Sequence, residues 1–216
     1  MTGGIEPPLT VAQALERVTH AHARAAILVE GWSDEAAVEA AARTCGVALA
    51  EDRIVVMPLG GITNLGKFAE ALAASHPDLR LGGLYDASEE RIALRALQRA
   101  GLARAGEAAT RAEAARSGFF ACDADLEDEL IRAAGTDLVE RLLRDEDELA
   151  SFRRLQRMPE HRERDLHRQL KRFMGTRAGR KARFACLMAA ALAPDRVPAP
   201  LHDVLAHAAA RQALRR

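Results

Sequence analysis

Carboxylates recur in this chain just after short apolar runs, and carboxylates so placed can hold a hard divalent cation. Residues 26–34 read Ala-Ile-Leu-Val-Glu-Gly-Trp-Ser-Asp. Ile27 to Val29 has the character of a buried strand that delivers Glu30 to its C-terminal end. Gly31 permits a sharp turn, and Ser33 is placed to cap a helix that carries Asp34 in its first turn. Asp86, with Glu89 and Glu90 close behind it, follows the run Leu81 to Tyr85. Asp123, Asp125 and Glu127 follow the run Gly118 to Cys122. Several uncompensated carboxylates in one crevice repel one another unless protons or metal ions neutralise them. Magnesium favours such oxygen ligands beside a substrate phosphate. Two ions ~4 Å apart can activate water and stabilise the leaving oxygen of a phosphodiester. Ordinary helix electrostatics also favours Asp34 near a helix start, and accounts for Asp128 and Glu129; Glu90 is read as solvated.

The elements that must position these groups alternate. Helical patterns cover 10–25, 33–45, 63–75 (capped by Thr63 or Asn64), 88–101 and 126–134. Strand-like runs at 26–30, 53–59, 81–85 and 118–122 lie between them, and 102–117 reads as a loop. Near-continuous apolar strands separated by helices predict an α/β fold, a parallel sheet of about four strands with helices on both faces. Ligands of such sheets bind at the C-terminal ends of the strands, where the acids fall. The second strand ends in Gly60-Gly61, where backbone can approach a phosphate, although the full Gly-rich fingerprint is missing. After residue 136 the alternation gives way to helices at 137–150, 151–174, 177–193 and 200–215. The predicted organisation is therefore an N-terminal helix (1–25), an α/β core (26–136) and a helical C-terminal region (137–216) that is basic at 151–183.

A net charge of zero conceals an asymmetry. Residues 1–150 hold 26 acidic and 15 basic side chains, and residues 151–183 hold 12 basic and 3 acidic. An acidic half needs cations, and a basic segment prefers polyanions such as nucleic acid; the two halves can equally attract each other. Arg153, Arg154, Arg157, Lys171, Arg172 and Arg180 are the candidates for nucleic-acid contact. Only Lys67, Lys171 and Lys181 are lysines among 31 basic residues. Where Arg is the default cation, a Lys can mark the need for a compact ammonium, and Lys181 in Gly-Arg-Lys-Ala-Arg is the candidate to stabilise charge developing in phosphoryl transfer. No apolar run is long enough for a membrane span, and the N-terminus lacks a secretory signal. Cys45, Cys122 and Cys186 read as reduced thiols without zinc-ligand spacing, so a cytoplasmic location is expected.

Val29-Glu30-Gly31 with Asp34, then Gly60-Gly61, then Leu84-Tyr85-Asp86, resembles the Toprim domain of topoisomerases, DnaG-type primases and several nucleases. Asp125-Leu126-Glu127 and the lysine-bearing helical tail resemble the Toprim half of the overcoming-lysogenization-defect (OLD) family nucleases. The resemblance spans about residues 26–205. It implies divalent-metal-dependent hydrolysis of DNA, with Glu30, Asp34, Asp86, Asp125 and Glu127 holding one or two Mg2+ or Mn2+ ions. Glu89 and Asp123 are further candidates, Glu30 can instead act as general acid/base, and Lys181 matches the family's lysine. The second Asp of the family's Asp-x-Asp motif is Ser88 here, with Glu89 one residue further on. No Walker sequence is present, so no ATP site is expected; a separate ATPase partner and a homodimer are compatible with the resemblance. Two other readings compete: a non-catalytic nucleic-acid- or protein-binding module with a decayed metal site, and a phosphoryl-transfer enzyme acting on a small phosphorylated substrate.

Overall fold

The structure is a computed structural model and describes residues 8–103, 110–177 and 179–210. Four strands, β1 (Ala25–Val29), β2 (Ile54–Pro58), β3 (Arg80–Asp86) and β4 (Phe119–Cys122), form one parallel sheet in the order β2-β1-β3-β4. Every residue of β1 is buried. Ala25, Ile27 and Val29 join one apolar core and Ala26 and Leu28 the other, so the strand's near-continuous hydrophobicity follows from having both faces covered.

Eleven α-helices occupy the described residues. They are α1 (Val11–His20), α2 (Trp32–Thr44), α3 (Leu65–Ser75), α4 (Glu90–Arg99), α5 (Arg111–Arg116), α6 (Leu126–Ala134), α7 (Thr136–Asp145), α8 (Leu149–Gln156), α9 (Leu166–Met174), α10 (Arg180–Ala191) and α11 (Ala199–Ala209). α1, α3, α4 and α5 cover one face; α2, α6 and the later helices share a single core on the other. α2 links β1 to β2 on one face, and α3 links β2 to β3 on the opposite face. Strand order therefore reverses between β1 and β3, which opens a crevice at their C-terminal ends. No helix among the described residues is long and apolar enough to cross a membrane.

The late helices are seated by small residues. α10 lies along α2, where buried Ala37, Ala40 and Ala41 face a core that includes Ala185 and Ala189. α11 crosses β3 and β4, and its His207 donates from Nε2 to the Leu81 carbonyl at 3.0 Å. Gly118 makes this approach feasible: its φ is +87°, and a Cβ there would stand 2.2 Å from His207 Nε2.

Local details differ from expectation in four places. α2 begins at Trp32, not after a Ser33 cap; Gly31 is the N-cap, and Asp34 accepts its N–H at 2.9 Å. Neither Thr63 nor Asn64 caps α3 with its side chain. A 3-10 turn, Ile62–Asn64, comes first, and Asn64 Nδ2 donates to the Leu59 carbonyl at 2.9 Å. The expected loop at 102–117 contains α5, started by a reciprocal capping box of Thr110 and Glu113. The expected helix over 151–174 is two helices. Pro159 removes a backbone donor and turns its predecessor away from helical geometry, and Asp165 caps the second helix by accepting from Arg168 N at 2.8 Å.

Candidate metal and phosphate site

The β1–β3 crevice is lined by carboxylates. Glu30 leaves β1, Asp86 closes β3, and Glu89 ends the 3-10 turn Ala87–Glu89 that follows. In a 3-10 turn side chains three apart eclipse, so Glu89 comes round to the edge that Asp86 occupies while Ser88 faces solvent. One carboxylate oxygen from each of Glu30, Asp86 and Glu89 lies within 4.8 Å of the other two. Glu89 Oε2 is buried and meets no hydrogen-bond donor among the described residues. Burial, followed by the charge of Glu30, pushes the Glu89 carboxyl above its ordinary pKa. A buried, donorless oxygen beside two further carboxylates fits a cation better than it fits an ordinary polar network.

The remaining acids bear on the same place. Burial lifts Asp86 to a pKa of about 7, helped by Glu30, Asp125, Asp34 and Glu89 in that order. Burial also lifts Asp34 to about 7, with Glu127 and Glu30 adding to it while Lys181 and the Gly31 N–H oppose it. Asp125 caps α6, accepting the Asp128 N–H at 2.9 Å through Oδ1, and its Oδ2 lies 2.7 Å from Lys171 Nζ. Glu127, buried in the first turn of α6, places Oε1 3.0 Å from Lys181 Nζ. Burial works against both ammonium groups. Glu127, Asp34 and Asp125 nevertheless hold the Lys181 pKa above the usual lysine value, and Asp125, Asp128 and Glu127 do the same for Lys171. Two of the three lysines therefore converge on one acidic cluster.

Glu30, Asp34, Asp86, Glu89, Asp125, Glu127 and Lys181 thus come together. Asp123 does not: its side chain is 69% exposed and pairs with Arg111 at 3.7 Å and Arg132 at 3.8 Å. Gly60 and Gly61 do not offer a phosphate cradle. Their N–H groups donate to the Glu30 carbonyl at 3.0 and 3.1 Å, and Pro8 closes over Gly60. Their role is to fix the backbone that carries Glu30.

Arg180 is a third correction. Its side chain is 6% exposed, lies 3.9 Å over the Phe173 ring and pairs with buried Glu148 at 3.0 Å, so it is closed to nucleic acid. It also donates to the Phe173 carbonyl and the Thr176 hydroxyl. Glu148 additionally accepts from Arg183 at 2.9 Å. This buried hub fixes the start of α10, where Lys181 sits. Sequence reading missed Glu148, which closes the acidic run 145–148 and carries no signal of burial. Lys171 belongs to the rim of the cluster, not to a distant basic surface. Arg153 is tied to Glu140 through two contacts of 2.7 and 3.0 Å, while Arg154, Arg157 and Arg172 are exposed.

A crevice at the switch point of a β2-β1-β3-β4 parallel sheet, with carboxylates from β1, β3 and the helix after β4, is the arrangement of a Toprim-like α/β fold. Residues 22–78 match the family described as Overcoming lysogenization defect protein-like, TOPRIM domain. The chain is similar to the C-terminal region of the Xanthomonas campestris pv. campestris OLD protein, with a TM-score of 0.65 and 25% identity over 87% of this chain and 94% of that one. It is similar in fold to the C-terminal region of the Burkholderia pseudomallei OLD protein, with a TM-score of 0.62 and 22% identity over 87% and 97% of the two chains. No curated protein matches the sequence. The chain thus has a Toprim-like fold that resembles the C-terminal region of OLD proteins.

Proposed function

We propose that this chain is a divalent-metal-dependent nuclease that hydrolyses phosphodiester bonds in DNA. The observation that supports this most is the meeting of six carboxylates from three strand ends with two lysine ammonium groups. Hard oxygen donors of this kind suit Mg2+ or Mn2+. Glu30, Asp86 and Glu89 would hold one ion, while Asp34, Asp125 and Glu127, engaged by the Gly31 N–H, Lys171 and Lys181, would add negative charge around it. A divalent ion held by these residues would supply activation of a water and neutralisation of the leaving oxygen's charge.

The chain's own groups do the rest. Lys181 and Lys171 balance the acids and are placed at the rim to meet phosphate oxygens, where an ammonium fixed in advance stabilises developing charge without reorganising. Glu30, within 4.8 Å of Asp86 and Glu89, would ligate the ion or instead act as general acid/base. The Gly60 and Gly61 N–H groups hold the Glu30 backbone still during this exchange. Exposed arginines of α8, α9 and their link would attract the phosphate backbone without reading sequence.

The rival reading, a binding module with a decayed metal site, draws on Ser88. Glu89 weakens it, because the 3-10 turn brings its carboxylate within 4.8 Å of Glu30 and Asp86 although Ser88 offers none. Incubation with supercoiled plasmid separates the two. Nicking in magnesium or manganese that EDTA abolishes is expected; intact plasmid under all conditions would leave the binding module.

A further inference from the structure

Around α9 the side chains pass from apolar to basic in the direction leading away from the acidic cluster. Leu170, Phe173 and Met174 are buried. His167 and Lys171, one turn apart, stand at the rim, with His167 Nε2 2.8 Å from Asp128 and Lys171 Nζ 2.7 Å from Asp125. Arg168 and Arg172 come next around the helix, one turn apart and exposed. The helix is a firm platform. Gln156 donates to Gln169 at 2.7 Å, Gln169 donates to the His161 carbonyl at 2.9 Å, and the Phe152 and Phe173 rings meet edge to face at 5.3 Å.

A second observation limits what such a surface can hold. The chain has one Trp, one Tyr and six Phe, and none of the eight is exposed. Surfaces that grip single strands combine cations with aromatic platforms on which bases stack. Here the cations stand alone, so contact is confined to the backbone. A double helix presents its phosphates at fixed spacing to a rigid helix without needing any stacking.

We propose that α9 is the edge along which a DNA duplex is laid, with Lys171 on the phosphate nearest the acidic cluster and Arg168 and Arg172 on phosphates further out along the backbone. The proposal rests on reading the cluster as the phosphodiester-cleaving centre. As the duplex seats, the Lys171 ammonium is shared between Asp125 and a phosphate oxygen. The α4 helix supplies an internal comparison. Its exposed Arg91 and Arg95 have the same spacing but lie on the helix layer of the opposite sheet face.

The test uses the full chain in EDTA, so that no cleavage occurs, with a fluorescein-labelled 25-base-pair duplex and the corresponding single strand, read by anisotropy at several salt concentrations. Duplex should bind more tightly than single strand. The double variant Arg168→Gln/Arg172→Gln should lower duplex affinity about tenfold or more and flatten the plot of log affinity against log salt by nearly two units, close to 0.9 for each lost phosphate contact. Arg91→Gln/Arg95→Gln should change neither. Equal losses in the two double variants, or no loss in the α9 variant, would overturn the assignment of α9. Tighter binding of the single strand would overturn the duplex. If either happens while the wild-type chain still nicks plasmid in magnesium, only the α9 proposal falls; loss of metal-dependent nicking with normal α9-dependent binding would remove the cleaving centre and leave the surface.

Discussion

Replacing Asp86 with Asn should stabilise the metal-free protein, in a way that depends on pH. Asp86 has a pKa of about 7 in the folded chain against an ordinary value of 3.8, because burial and four neighbouring carboxylates disfavour its charge. Below pH 3.8 the group is protonated in both folded and unfolded chains and contributes nothing. Between 3.8 and 7 the unfolded chain ionises first, so stability falls as pH rises, and above 7 the deficit is complete. At about 1.4 kcal/mol per pH unit, roughly three units correspond to at most about 4 kcal/mol, and solvent screening of this half-buried group lowers that to about 3 kcal/mol. Asn avoids that cost but leaves a carboxamide short of partners, an offset of about 1–3 kcal/mol. The net gain at pH 8 should therefore be about 1 kcal/mol and at most about 2 kcal/mol, and for a domain of this size each kcal/mol raises Tm by roughly 2–4 °C. At pH 4, where Asp86 is largely neutral as well, only the offset remains, and the variant should be no more stable than the wild type. Magnesium should reverse the order: at one hundred times its Kd it stabilises the wild type by about 2.7 kcal/mol, and the variant should gain far less. Thermal melts of both proteins at pH 4, 6 and 8, with and without magnesium, measure all of this. A variant no more stable than the wild type at pH 8, or equally stabilised at pH 4, would refute the crowding of charge at Asp86.

Three further outcomes follow from other parts of the fold. Gly118→Ala should cost roughly 2–4 kcal/mol in urea melts, since it adds left-handed strain to a clash with His207. Glu148→Gln should cost about 3 kcal/mol by leaving Arg180 buried without its counter-charge, and hydrogen exchange should rise at the start of α10. Lys181→Arg keeps the charge but changes its shape, so single-turnover cleavage should slow by tenfold or more while DNA affinity stays within about threefold of wild type; an unchanged rate would make Lys181 part of the general basic surface.

Much of this architecture is visible in the chain itself, because a buried parallel sheet demands apolar runs and a switch-point site demands polar residues at their ends. Glu30, Asp86 and Asp125 could be placed at one edge on that basis alone. What was not legible depends on short-range geometry and on tertiary partners. Ser88 stands where a ligand is expected, with Glu89 one residue further on, and only the 3-10 turn after β3 shows that Glu89 reaches within 4.8 Å of Glu30 and Asp86. Gly60 and Gly61 look like a phosphate cradle until their N–H groups are seen to hold the Glu30 carbonyl. Arg180 and Arg172 are alike as letters; only packing against Glu148 and Phe173 withdraws one of them from solvent. The scarcity of lysine singled out Lys181 through its Gly-Arg-Lys-Ala-Arg setting, but that Lys171 also meets the acids depends on how α9 packs and carries no local signal.

Cleavage of supercoiled DNA by the wild-type chain and by Glu30→Gln, side by side in magnesium, manganese and EDTA, bears most directly on the acidic cluster as a metal-dependent nuclease. Glu30 stands at the centre of the cluster, and its replacement by Gln removes charge without removing shape. The expected result is nicking by the wild type in either metal, none in EDTA, and a loss of at least a hundredfold in a Glu30→Gln protein whose circular dichroism is unchanged. Nicking at the wild-type rate by Glu30→Gln, or nicking that persists in EDTA, would contradict it.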